Sequence, residues 1–361
     1  MSKTVKRFMD RLKDGEAVIA AEGYLFYFER LGYLQGGYWL PVVILQHPEY
    51  VKDAYRHFVH AGSDVVEAFT YYAHREKLRL MNMEDKLELI NREALRLGRE
   101  VADETGTLLA GNICNTNIYH PDSPERNEQI TAMFKEAIKW SLDYNVDYII
   151  GETYNYLGEA MLALDAIKKY GKGVPAVIML ASYPMTTKNG QAMTSDGVPL
   201  TEACKKLEDA GADVVGLNCA RGPATMMPIM REIRKVCKGP LAALPVPFRT
   251  TPEEPSFLIL SDPKTGEQLF PTNLEVASCS HGDIWEFGKE CKELGIQYVG
   301  ICCGNRPCLT RTLAESLGRK PPASEFSKDI SKNVTFGSDP RLKQNVLADN
   351  LKLYCNKVDL N

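Results

Sequence analysis

Eight short apolar runs recur along this chain, and the stretches between most of them carry helical spacing. The runs are Ala17–Glu22, Asp64–Tyr72, Thr107–Cys114, Asp147–Glu152, Pro175–Ser182, Asp213–Cys219, Pro240–Pro245 and Gln297–Cys303. Each is a few residues long, rich in Val, Ile and Leu, and closed by Gly, Pro or a polar residue. That is the pattern of a strand buried on both faces of a parallel sheet. Helical periodicity fills 50–61, 83–104, 124–144, 157–170, 200–210, 226–237, 283–294 and 310–317. Eight such alternations predict an α/β fold, a (β/α)8 TIM barrel, over residues 1–320. An open doubly wound sheet is the alternative, but no G-x-G-x-x-G follows the first run. Residues 321–361 start at Pro321-Pro322 and turn polar, so they read as a C-terminal extension and a possible oligomerisation arm, which makes a homo-oligomer the expectation.

Two of the runs end in cysteine. GLNCARGP carries Cys219, and GICCG carries Cys302 and Cys303. In a barrel, groups at strand carboxyl ends face the active-site mouth. Three thiolates with a fourth position open describe a catalytic zinc site, whereas a structural site is closed by four protein ligands. Neighbouring strand residues point to opposite faces, so both cysteines can bind one ion only if the strand breaks there, which Gly304 would permit. The competing reading is that Cys302 and Cys303 are ordinary buried packing residues.

The other predicted strand ends add Glu22, Thr70, Tyr71, Tyr72, Asn115 and Glu152, with Asn218 just before the first cysteine. Glu152 closes an apolar run, where an unpaired charge is costly, so it meets either a substrate cation or an arginine. Trp39, Tyr71, Tyr72 and Tyr154 suit an onium group by cation–π attraction, or simply pack the barrel mouth. The proline-bearing stretch over 248–280 has little periodicity, and long irregular insertions of this kind are more often functional than idle. A net charge of −4 and the lack of a basic block argue against nucleic acid. No apolar run reaches membrane-spanning length, and the first residues lack a signal-like apolar core. Several of the ten cysteines sit inside strands or helices, which fits a reduced, cytoplasmic setting.

These motifs, with WLP, EAFTYY and GETYNYLGEA upstream in the same order, resemble the homocysteine methyltransferase family, its betaine-using branch most of all. The resemblance covers about residues 17–322. It implies zinc on Cys219, Cys302 and Cys303, homocysteine bound through its sulfur, and methyl transfer from an onium donor to give methionine. It also implies that Glu152 holds the amino group of homocysteine, while Trp39 and Tyr72 box the donor. The sequence departs from the family in four places. Ala21 stands where an aspartate is expected, with Glu22 one residue on. Glu67 and Leu244 stand in place of glutamines, and Thr153 in place of an aromatic. These changes leave open the donor (betaine, S-methylmethionine or dimethylsulfoniopropionate), the thiol, and a catalytically silent zinc- or thiol-binding role.

Overall fold

The computed structural model describes residues 6–37, 41–182, 190–333 and 336–341. Contacts divide the chain into two compact units, Met1–Pro322 and Ala323–Asn361. Within the second, Asp329 caps a 3₁₀ turn over Ile330–Lys332.

The first unit begins with α1 (Phe8–Lys13), β1 (Val18–Ala21), α2 (Tyr24–Arg30), α3 (Val43–Gln46) and α4 (Pro48–Ala61). Next come β2 (Val65–Glu67), α5 (Arg75–Leu80), α6 (Leu87–Thr105), β3 (Leu108–Cys114), α7 (Pro124–Asp143) and β4 (Tyr148–Tyr154). It continues with α8 (Leu157–Tyr170), β5 (Ala176–Leu180), α9 (Leu200–Asp209), β6 (Val214–Asn218), α10 (Pro223–Val236) and β7 (Leu241–Leu244). The last elements are α11 (His281–Glu293), β8 (Tyr298–Ile301) and α12 (Pro307–Ser316). All eight strands are parallel, in the order β1-β8-β7-β6-β5-β4-β3-β2. Between β1 and β2 the ring is closed at its amino-terminal end, where the Asp64 amide donates to the Ile19 carbonyl at 2.7 Å. The same end is sealed by α1, whose Phe8 stacks on Tyr148 at 3.9 Å. The expected (β/α)8 barrel is what forms.

Strand parity then decides which side chains meet on the axis. Val18, Ala20, Val65, Ala110, Tyr148, Ile150, Val177, Met179, Leu244 and Tyr298 share the interior cluster, while Ile19, Ala21, Val66 and Ile149 join the outer one. Continuing the inward parity upward brings Glu22, Glu67, Asn112, Glu152, Asn218 and Cys302 to the carboxyl-end layer. Ala21 therefore faces the helices, and Leu244 fills the interior against Gly300, where a Cβ would lie 2.7 Å from Leu244 Cδ2.

Three expectations change. The second strand stops at Glu67 rather than Tyr72, because Tyr72 takes a left-handed φ of 61° and Ala68–Ala73 form turns. The short helices α2 and α5 were not visible in the periodicity; each is two turns or fewer, below the length at which a repeat shows. The 248–280 stretch contains 3₁₀ turns over Phe257–Ile259 and Leu274–Ala277, and no α-helix or named strand.

Candidate metal and substrate site

Cys219 and Ala220 follow β6 with left-handed φ values of 58° and 56°. Such angles cost non-glycine residues about 1 kcal/mol or more each. Here they are held by the Cys219 amide on the Leu244 carbonyl (2.9 Å), the Arg221 amide on the Cys219 carbonyl (2.6 Å) and the Phe257 amide on the Ala220 carbonyl (2.9 Å). The 248–280 stretch thus clamps the cysteine loop.

At the other end, β8 finishes at Ile301, and the chain turns through Cys302, Cys303 and Gly304 at φ 97°. This is the strand break that two adjacent ligands require. The Cys219–Cys303 sulfurs are 3.7 Å apart and the Cys302–Cys303 sulfurs 3.9 Å. All three sulfurs lie within 4.8 Å of one another. Two sulfurs held at 2.3 Å by a tetrahedral zinc would be about 3.8 Å apart, so the spacing fits that ion. Hydrogen bonds from Cys302 and Cys303 pull the Cys219 thiol well below its ordinary range, and the same bonds hold the other two well above theirs. Without a cation Cys302 and Cys303 keep their protons; a cation would let all three ligate.

Below the sulfurs lies a layer of three buried carboxylates. Asn112 Nδ2 donates to Glu67 Oε1 at 2.6 Å and also to Glu152 Oε1. Asn218 Nδ2 donates to Glu152 Oε2 at 2.7 Å and reaches Glu22 Oε2 at 3.4 Å, and its Oδ1 accepts the Thr153 amide at 2.9 Å. Burial, then the charge of Glu152, pushes the Glu22 and Glu67 carboxyls well above the usual range. Burial likewise lifts Glu152 to about 7.

Two adjoining clefts open over this arrangement. One, of about 380 Å³, is lined by Gly23, Tyr24, Leu25, Glu67, Phe69, Tyr71, Glu152, Thr153, Cys302 and Cys303. The other, of about 540 Å³, is lined by Leu25, Phe26, Tyr71, Tyr72, Thr153, Ala181, Cys219, Ala220, Phe257, Leu258 and Cys303. The first is acidic and the second apolar and aromatic; they share Leu25, Tyr71, Thr153 and Cys303. Tyr71 and Tyr72 lie with ring centroids 4.2 Å apart.

Cys219, Cys302, Cys303, Glu22, Glu152, Asn218, Tyr71 and Tyr72 are therefore brought together. Thr70 lines neither cleft; its hydroxyl donates to the Asn112 carbonyl at 3.2 Å. Tyr154 is fully buried on the outer side of β4, with its ring edge-on to Phe134: it shares the parity of Glu152, but the left-handed Thr153 (φ 61°) and the register shift between Gly151 and Tyr154 turn it outward. Asn115 accepts from the Tyr71 hydroxyl at 3.3 Å. Trp39 lies outside the described residues. The strand-end reading did not reach Asn112, Phe257 or Leu258, and it met Glu67 and Thr153 only as departures from the family. Inward parity along β2 and β3 would have found Glu67 and Asn112. Nothing local marks the others.

Fold and site together define a (β/α)8 barrel with a three-cysteine cluster of metal-ligand geometry at its carboxyl-end mouth. Residues 28–317 match the family model for homocysteine S-methyltransferase. Betaine–homocysteine S-methyltransferase 1 of Mus musculus is 32% identical over 337 residues, covering 90% of this chain and 78% of that protein. S-methylmethionine–homocysteine S-methyltransferase of Mus musculus is 30% identical over 352 residues, covering 95% and 91%. The metallated form of an Escherichia coli homocysteine methyltransferase superposes with a TM-score of 0.65 at 15% identity, over 85% of this chain and 99% of that one. The chain belongs to the homocysteine S-methyltransferase family.

Proposed function

We propose that this protein is a zinc-dependent S-methyltransferase that moves a methyl group from an onium donor to homocysteine. The observation that carries the reading is the placement of three sulfurs, at tetrahedral spacing, where an acidic and an aromatic cleft meet. Cys219, Cys302 and Cys303 would hold the zinc, which when bound keeps the acceptor sulfur as a thiolate. The carboxylates Glu22 and Glu152 receive the acceptor ammonium in the first cleft. Tyr71, Tyr72 and Phe257 offer ring faces to a quaternary ammonium or sulfonium in the second. Binding both substrates across Cys303 and Thr153 brings sulfur and methyl carbon in line and supplies the proximity part of the rate. The S–C bond forms as the donor's C–N or C–S bond breaks; the bonding pair stays on the donor, whose onium centre becomes a neutral amine or thioether, and the acceptor becomes methionine. No redox step occurs.

The nine described cysteines are free thiols, which supports a reducing, cytoplasmic setting. Residues 321–361 are assigned as an extension that mediates homo-oligomer formation, and residues 1–320 as the catalytic barrel. No helix among the described residues is long and apolar enough to cross a membrane.

The test is methionine formation by mass spectrometry, using zinc-loaded protein, homocysteine, and glycine betaine or S-methylmethionine in parallel. Methionine from one donor names the donor class. Silence with both donors while zinc is bound would refute the reading. Metal analysis of Cys302→Ala checks the ligand set: the expected result is loss of zinc, and full occupancy would sink the assignment.

A further inference from the structure

The three buried carboxylates are not equivalent: Glu67 and Glu152 line the acidic cleft, and Glu22 lies beside Glu152 and Cys302. Both oxygens of Glu152 already have donors, from Asn112 on one side and from Asn218 and the Thr153 hydroxyl on the other. Glu22 Oε1 and Glu67 Oε2 are buried with no donor, on residues only 2% and 4% exposed. A buried carboxyl oxygen without a donor is a place where a ligand's N–H can bind. Among the described residues no lysine, arginine or histidine lines either cleft. Glu67 lines the acidic cleft beside Glu152 and Cys302. A primary ammonium carries three N–H donors, one for each carboxylate.

Resting on the proposed thiol-methyltransferase reading, we infer that Glu67 is a specificity-determining residue of the acceptor site. It completes a three-carboxylate cradle for a primary ammonium, so the site takes aminothiols and rejects anionic thiols that lack the amino group. A thiol bearing only a carboxylate offers no N–H to these oxygens and brings a negative charge to a cleft whose described lining holds no lysine, arginine or histidine. Loss of the acceptor's own carboxylate costs less, because among the described residues no cationic side chain lines either cleft.

The experiment compares three thiols on zinc-loaded protein: homocysteine, 3-aminopropane-1-thiol (ammonium, no carboxylate) and 4-sulfanylbutanoate (carboxylate, no ammonium). Binding is read by calorimetry and methyl transfer by mass spectrometry. Wild type should prefer the two aminothiols over 4-sulfanylbutanoate by roughly a hundredfold or more, as sites built around a specific hydrogen-bonded group do. Glu67→Gln keeps the shape and removes the charge; it should compress that preference by roughly tenfold or more with zinc content unchanged. Glu67→Asp, which keeps the charge, should retain part of it. Because the readout is a ratio, a general loss of folded protein does not imitate it. Equal scaling of all three thiols in Glu67→Gln, an unchanged preference, or no binding of either aminothiol to wild type would overturn the inference. Intact binding preference without methyl transfer would instead overturn the enzymatic reading and leave this one standing.

Discussion

Gly23 joins β1 to α2, and a single methyl group added there should loosen the metal site without touching a ligand. Its φ is 79°, and a Cβ built on it would lie 2.5 Å from the Cys302 carbonyl oxygen and 3.0 Å from Cys303 Cα. Those are backbone atoms, which cannot rotate away. Relief to even 3.0 Å from the oxygen demands a shift of 3.0 − 2.5 = 0.5 Å in the turn that presents two of the three sulfurs. Metal–ligand distances tolerate only about 0.2 Å, so the shift exceeds what the site can absorb. Gly23→Ala should therefore weaken zinc binding by roughly ten- to a hundredfold, the range seen when groups supporting metal ligands are disturbed. The left-handed backbone adds a separate stability cost of about 1–2 kcal/mol for alanine. Gly32 separates the two effects. It has φ 78° and nothing within 4 Å of an added Cβ, so Gly32→Ala carries the backbone cost alone. The assay is zinc competition against a chromogenic chelator, with thermal unfolding of both variants alongside. Zinc affinity in Gly23→Ala no weaker than in Gly32→Ala would refute the argument that this glycine is required by the packing of the cysteine turn.

Three further outcomes follow from the same geometry. Burial and then Lys77 lower the His74 imidazole to about 4 from 6.5. The folded state therefore resists a proton that the unfolded chain takes, so stability is complete above about 6.5 and declines as pH falls toward 4, by at most about 3 kcal/mol. His74→Asn, which still offers a cap to the Lys77 amide, should flatten that slope in urea unfolding across the window; an unchanged slope would assign it to other groups. Asn112→Leu removes the amide shared by Glu67 and Glu152 and should cost about 1–3 kcal/mol in chemical unfolding, since two buried acceptors lose their donor. Phe257→Ala takes an aromatic wall from the second cleft. It should lower stability by about 3 kcal/mol and raise the KM for the onium donor while leaving calorimetric thiol binding to zinc-loaded protein unchanged; a parallel loss in thiol binding would contradict the division into two clefts.

What could be read before the structure, and what could not, follows from the range over which each signal acts. The barrel was legible because a strand buried on both faces must be apolar at every position, which marks eight places independently of any partner. The cysteine pair was legible for a related reason: a polar or nucleophilic residue ending such a run has nowhere to go but the mouth. Glu67 sits in the same kind of place, yet it was hidden by an over-long second strand. Extending that run to Tyr72 placed the strand end at Thr70–Tyr72 and moved attention off the inward position three to five residues earlier. Thr70 was read as a strand end and Tyr154 as part of the same rim; a turn after Glu67 and a bulge at Thr153 send them elsewhere. Ala21 shows the converse, since that departure falls on the outward face while Glu22, one residue on, has the inward parity. Phe257 and Leu258 reach the second cleft through a segment with little periodicity, clamped by the Phe257 amide on the Ala220 carbonyl. That bond also holds a cysteine loop with two left-handed residues in succession, so the same segment that walls the cleft fixes the direction of the Cys219 sulfur. Shortening the 248–280 stretch should then weaken zinc binding and donor binding together, a coupling that a lid acting only on donor entry would not produce.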